Sequence, residues 1–254
     1  SRATAETPTR ATTARHLETL SASGSGASAV RGMKPAGHSA WGGGRAGEGG
    51  LHPGNARERK RAQMRHELHR HPELGFQEHA TAKRIAEELE RLGLTFETGI
   101  GKTGIVATVT GDQPDNGRQI GLRADMDALP IQELSEHNHT SEVPGRMHAC
   151  GHDGHTTLLL GVARYLAEHR DFAGTIHLVF QPAEEGLGGG RAMIEEGLFE
   201  RFPMQAIYAL HNWPSLPAGQ VAVRSGAIMA ATDRLDIRVR GKGGHGGVNP
   251  HLST

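Results

Sequence analysis

His148-Ala149-Cys150-Gly151-His152-Asp153-Gly154-His155 runs directly into Thr156-Thr157-Leu158-Leu159-Leu160-Gly161-Val162-Ala163-Arg164-Tyr165-Leu166. The first stretch crowds a thiol and imidazoles together, and the second carries apolar residues at helical spacing, so the polar run opens a buried helix. A thiolate and an imidazole two positions apart, with glycine between and after them, can converge on one ion because glycine lets the backbone turn tightly. The alternative is a solvated, His-rich loop: the chain has 17 histidines, His137 and His139 read as solvated, and a short Cys/His tract is by itself only a compositional signal. The apolar sequel favours the metal.

Outward from this run, composition sets bounds. A chain of 254 residues with 36% hydrophobic content has room for one large domain, or one domain and part of another. Formal net charge is zero, which gives no steering toward nucleic acid or an anionic membrane. A single cysteine makes no internal disulfide, and no apolar run reaches the roughly 18 residues needed to span a bilayer. A cytoplasmic protein without nucleic-acid or membrane partners is expected. Arg2, Arg10 and Arg15 among Ser, Thr and Ala only faintly resemble an organellar transit peptide, and the start at Ser1 is compatible with an incomplete reading frame.

Residues 1–56 contain Ser21-Ala22-Ser23-Gly24-Ser25-Gly26 and Gly42-Gly43-Gly44 and read as a disordered low-complexity extension. Helical patterns follow at Arg57–His71 and Gln77–Leu92, split by Pro72, before which a helix stops. In the second, Ala82, Ile85, Ala86, Leu89 and Leu92 make one apolar stripe. Gly104–Thr110, Gln119–Ala124, Thr175–Phe180, Ala206–Leu210 and Gln220–Val223 read as strands, with helices near 156–168 and 189–197. This alternation predicts an α/β fold, a sheet between helix layers with its ligand site at the carboxyl ends of strands.

Three of those strand ends carry polar residues. Arg123-Ala124-Asp125-Met126-Asp127-Ala128-Leu129-Pro130 delivers two carboxylates at alternate positions; Asp127 is the stronger functional candidate, while Asp125 is equally well read as a turn former. Gln181-Pro182-Ala183-Glu184-Glu185-Gly186 places adjacent acids after an apolar strand. Such acids repel unless a cation or a chemical task separates their roles, although a helix N-terminus also favours them. In a metallohydrolase one would ligate metal and its neighbour would handle the proton of a metal-bound water. His211 follows the strand ending at Leu210 and is either structural or a ligand. Together Cys150, His152, Glu185 and His211 form a mixed S, N and O donor set from separate segments, which zinc and neighbouring metals accept.

These motifs, with Gly241-Lys242-Gly243-Gly244-His245, closely resemble the amidohydrolase branch of the dinuclear aminoacylase/carboxypeptidase metallopeptidases, from about Arg57 to the last residue. The resemblance implies a three-layer α/β/α metallohydrolase domain over residues 57–225. It also implies a smaller inserted α+β lid and dimerisation domain that begins at 226–254, with Ala231–Arg240 as its first strand and the chain stopping inside it. It implies two divalent ions (Zn, Mn, Co or Ni) on Cys150, His152, Glu185 and His211, with Cys150 bridging. Glu184 would be the general base, Asp127 the aspartate that supports the ligands, and His245 a residue carried to a partner's active site. A further ligand histidine is expected beyond Thr254, so the span alone is expected to be inactive. The implied reaction is hydrolysis of N-acyl amino acids by a homodimer or homotetramer. The alternatives are a dipeptidase, a carbamoyl-amide hydrolase or a metal-binding inactive relative.

Overall fold

The structure is a computed structural model that describes residues 56–217, 219–230, 235–238 and 240. Its elements are α1 (Ala56–Arg70), α2 (His79–Arg91), β1 (Thr95–Ile100), β2 (Gly104–Thr110), β3 (Gln119–Asp125), α3 (His152–Glu168), β4 (Thr175–Gln181), α4 (Gly189–Glu195), α5 (Leu198–Arg201) and β5 (Ala206–Ala209). The strands form one mixed sheet in the order β1-β2-β4-β3-β5. β1, β2 and β4 pair antiparallel, whereas β3 runs parallel to both β4 and β5.

Side-chain alternation along the strands divides the core in two. Ile105, Ala107 and Val109 of β2, Leu178 and Phe180 of β4 and Ala124 of β3 face Ile85 and Leu89 of α2 and Leu159, Leu160, Ala163 and Leu166 of α3. The intervening Val106 and Val179 face the other way, onto Met193 of α4, Leu198 of α5 and Phe202. The result is helix, sheet, helix: the period of 2 in each strand makes both faces apolar, and each needs a cover. Phe180 is 0% exposed, and truncating a side chain so placed costs roughly 3–5 kcal/mol. In α2 the expected stripe holds, with Ile85 and Leu89 buried and Ala82, Ala86 and Leu92 half-buried against the same core.

Two elements escape the sequence reading. β1 is an edge strand whose outer residues are exposed and whose register shifts between Thr98 and Ile100, so it lacks clean alternation; α5 is a single turn. One expected strand is absent. Gln220–Val223 has no strand conformation, and Val221 and Val223 are 76% and 89% exposed. A β-branched run becomes a strand only where a neighbour pairs with its backbone and covers one face, and no described strand lies beside it. Residues 235–238 carry no strand either, with Leu235 and Ile237 exposed. The rest of the expected lid strand (residues 231–234 and Val239), all of residues 241–254 including His245, and residues 1–55 lie outside the described residues. No described helix is long and apolar enough to cross a membrane.

Candidate metal centre

Because β3, β4 and β5 are parallel, their carboxyl ends lie along one edge of the sheet, where ligand sites of open α/β sheets form. Asp125 closes β3 level with Gln181 of β4. Asp127 follows β3 by two residues, Glu184 and Glu185 follow β4, and His211 follows β5 by two. The N-terminus of α3 enters the same edge. Its cap, Gly151, has φ 88°, a left-handed conformation that suits glycine, and a Cβ there would collide with the Asn212 side-chain amide. The sharp turn puts Cys150 on one side and His152 on the other.

His152 is fully buried. Its Nδ1 meets Asp127 Oδ1 at 3.2 Å, and the other oxygen of Asp127 accepts the Glu185 backbone N–H at 3.0 Å. One carboxylate therefore orients both residues. The opposite nitrogen, His152 Nε2, lies 3.7 Å from Glu185 Oε1, too far for a hydrogen bond. Both atoms are buried with no hydrogen-bond partner. Beside them Cys150 Sγ lies 3.4 Å from His211 Nε2. Donor atoms bonded to one tetrahedral zinc sit about 3.4–3.6 Å apart, given zinc distances of about 2.0–2.3 Å. Cys150, His152 and His211 form one group whose donor atoms converge, and His152, Glu184 and Glu185 form another.

The electrostatics fit cations. Burial pushes the Cys150 thiol up to about 12, with the Glu185 carboxylate adding to the push; a cation beside the sulfur is what converts such a thiol into a thiolate. Burial raises Glu184, and its neighbour Glu185 raises it further. Burial opposes ionisation of Asp127 and protonation of His152, yet the hydrogen bond between them, together with backbone N–H groups at Asp127 and the carboxylates around His152, outweighs it, lowering the acid and raising the base.

The structure thus brings together Cys150, His152, Glu184, Glu185, His211 and Asp127, all singled out in the sequence, and leaves His245 outside the described residues. A model of peptidase family M20/M25/M40 matches residues 121–251, more than half of the 254 residues. The chain belongs to that family. Among M20/M25/M40 relatives, it is 49% identical over 183 residues to a hippurate hydrolase of Campylobacter jejuni, covering 72% of this chain and 47% of that protein. It is 45% identical over 190 residues to IAA-amino acid hydrolase ILR1-like 4 of Arabidopsis thaliana, covering 74% of this chain and 42% of the relative. The crystal structure of a dinuclear metal binding peptidase of the M20 family from Bacillus subtilis superposes with TM-score 0.61 at 42% identity, over 65% of this chain and 45% of that one. The M20/M25/M40 chain described here therefore spans about half the length of the relatives it matches.

Three further residues of this family member brace the candidate centre, and the sequence alone assigns none of them a role. Glu78, 0% exposed, accepts the Ala183 backbone N–H at 2.8 Å and the Thr103 hydroxyl at 2.6 Å, which fixes the turn before Glu184. It precedes α2 in a stretch that reads as an ordinary helix start, so no local signal marks it. His155 closes the His148–His155 run and Asn212 follows His211, but nothing local separates their task from that of the neighbouring ligand candidates. His139, expected to be solvated, is half-buried and stacks on His66 with ring centroids 4.0 Å apart. The neighbouring α1 supplies a partner ring that the sequence pattern does not show.

Proposed function

We propose that the protein hydrolyses the amide bond of an N-acyl amino acid, of the hippurate or acetyl-amino-acid kind, into a carboxylic acid and an amine. The observation that carries this is the pair of buried, partnerless donor atoms His152 Nε2 and Glu185 Oε1, 3.7 Å apart at the sheet edge. Cys150, His152, Glu185 and His211 would hold two divalent cations, Zn, Mn, Co or Ni. When bound, such cations polarise a carbonyl and lower the pKa of water toward neutrality. Asp127 keeps His152 and the Glu185 backbone in register. Glu184 takes the proton of the attacking water and passes it to the leaving nitrogen; a carboxyl raised by burial and by Glu185 is suited to that exchange near neutral pH.

The similarity to a hippurate hydrolase and an IAA-amino acid hydrolase supports the substrate class, and the similarity to a dinuclear peptidase supports the ion pair. In the same reading, a lid domain starts after residue 225 and His245 serves the active site of a partner subunit in a dimer or tetramer. A cytoplasmic location belongs to the same reading. The test pairs metal analysis of the dialysed chain with hippurate hydrolysis by a version extended to the relatives' length. Bound divalent metal and turnover that disappears on chelation and returns with zinc, manganese or cobalt are expected. Turnover indifferent to chelation would sink the proposal.

A further inference from the structure

His211 has a side chain held by neighbours that are not themselves metal donors. Its Nδ1 donates to the Asn212 carbonyl at 2.7 Å, which leaves the Nε2 lone pair facing Cys150 Sγ. Asn212 is in turn fixed by His155, whose Nε2 lies 3.0 Å from the Asn212 backbone nitrogen and 2.5 Å from its side-chain Oδ1. Asp125 Oδ1 offers only lone pairs, so the His155 hydrogen that faces it sits on Nδ1. From there it is donated to Asp125 Oδ1 at 2.7 Å.

Asp125 is 2% exposed. Its second oxygen pairs with Arg123 Nη1 at 3.0 Å, and its carbonyl accepts the Thr156 hydroxyl at 2.9 Å. Both nitrogens of the His155 ring are therefore engaged, so although Asp125, His152 and His155 are close enough to hold an ion, His155 has no lone pair left for one.

We propose that Asp125, His155 and Asn212 form a hydrogen-bonded brace that sets the tautomer and place of His211. All three are positioning residues. The proposal rests on the metal-centre reading above and deepens it. β5 ends at Ala209, and His211 sits two residues beyond it with an exposed side chain. Without a brace, an exposed imidazole on a loop must lose its rotamer freedom at the moment it binds a cation. The chain Arg123–Asp125–His155–Asn212 removes that cost beforehand by tying the loop to the end of β3 and the first turn of α3. Partners of this kind around a ligating histidine typically change metal affinity by about 10–100-fold.

The test titrates the 254-residue chain with Co(II), following the thiolate-to-cobalt absorption of Cys150 and the thermal midpoint of the apo protein. His155→Phe keeps a ring in the buried site and removes both hydrogen bonds. It should weaken the His211-dependent ion by roughly 10-fold or more while thiolate absorption survives at saturation. His155→Gln, whose amide can again reach Asn212, should recover part of the loss. Asn212→Ala, on an exposed loop where folding is not at stake, keeps the backbone contacts and removes only the side-chain Oδ1 contact with His155, so it should shift affinity in the same direction by less. Wild-type affinity in both His155→Phe and Asn212→Ala overturns the brace and leaves the metal reading intact. Loss of a whole ion in His155→Phe with no recovery in His155→Gln would make His155 a ligand and also overturn it. A wild-type chain that gives no cobalt signal sinks the metal reading and the brace together.

Discussion

At Glu184 and Glu185, two acids adjacent in the chain meet different surroundings. Glu185 Oε1 is buried against His152 Nε2, whereas Glu184 is exposed and its carboxyl is raised, by loss of surrounding water and by Glu185. If Glu184 is the base and not a donor, Glu184→Gln in a version of the relatives' length keeps metal stoichiometry while turnover falls roughly 10²–10⁴-fold or more. Metal analysis beside a rate assay separates the two roles, since loss of metal would make Glu184 a ligand. Cys150 gives a second check. A thiolate on a cation is shielded from electrophiles, so at alkaline pH iodoacetamide labelling should be slow in the metal-loaded chain and faster after chelation. Because burial pushes the free thiol up to about 12, labelling after chelation should itself climb steeply with pH. Equal labelling with and without metal would remove Cys150 from the donor set.

Among the elements, α1 poses the clearest packing question, because it is polar on nearly every side and yet docks beside α3. Leu68 is buried and Met64 packs against the core, and beside them the contact is ionic. His69 Nδ1 meets Asp153 Oδ2 at 2.9 Å, its Nε2 meets Glu133 Oε1 at 3.2 Å, and Arg65 Nε lies 3.3 Å from the same Asp153 oxygen. With both ring nitrogens on carboxylates, the ring is an imidazolium. The Asp153 hydrogen bond raises His69 above its ordinary 6.5 against the opposing effect of burial, and Glu133 adds to the rise. A raised folded-state value stabilises fully below the unfolded value near 6.5 and is lost as pH climbs through the folded one. The thermal midpoint should therefore decline from about pH 6.5 upward, and His69→Gln should lower the midpoint at pH 6 and flatten the decline. Melting curves at pH 6, 7 and 8 decide it; an unchanged slope in the variant would assign the pH dependence elsewhere.

At the scale of the molecule, the donors come from two strand ends and one helix start, so a cation joins segments far apart in sequence. Anything bound by the folded chain alone stabilises it by mass action, about 2.7 kcal/mol at 100 times the dissociation constant. For a chain of this size that is a rise of several degrees. Zinc or cobalt should raise the midpoint of the 254-residue chain, EDTA should reverse the rise, and Cys150→Ala should blunt it. A midpoint unmoved by saturating metal would mean that the gathered side chains serve the fold and not a cation.

The sequence by itself determined the layers and the donor types. Strand runs such as Gly104–Thr110 and Thr175–Gln181 present two apolar faces, and the helical patterns alternating with them supply a helix layer for each; a lone cysteine two residues from a histidine at a helix start already points to metal chemistry. What only the tertiary structure decided is partnership. The strand order that lays β3 between β4 and β5 is a long-range choice invisible to local periodicity, and it sets Asp127, Glu185 and His211 on one edge. Asp125 is balanced in the sequence between turn former and functional group, and its bonds to His155 and Arg123 give it a structural task. Gln220–Val223 fails as a strand for the same reason: β-propensity describes a residue's fit to a neighbour, and the neighbour is supplied by the fold.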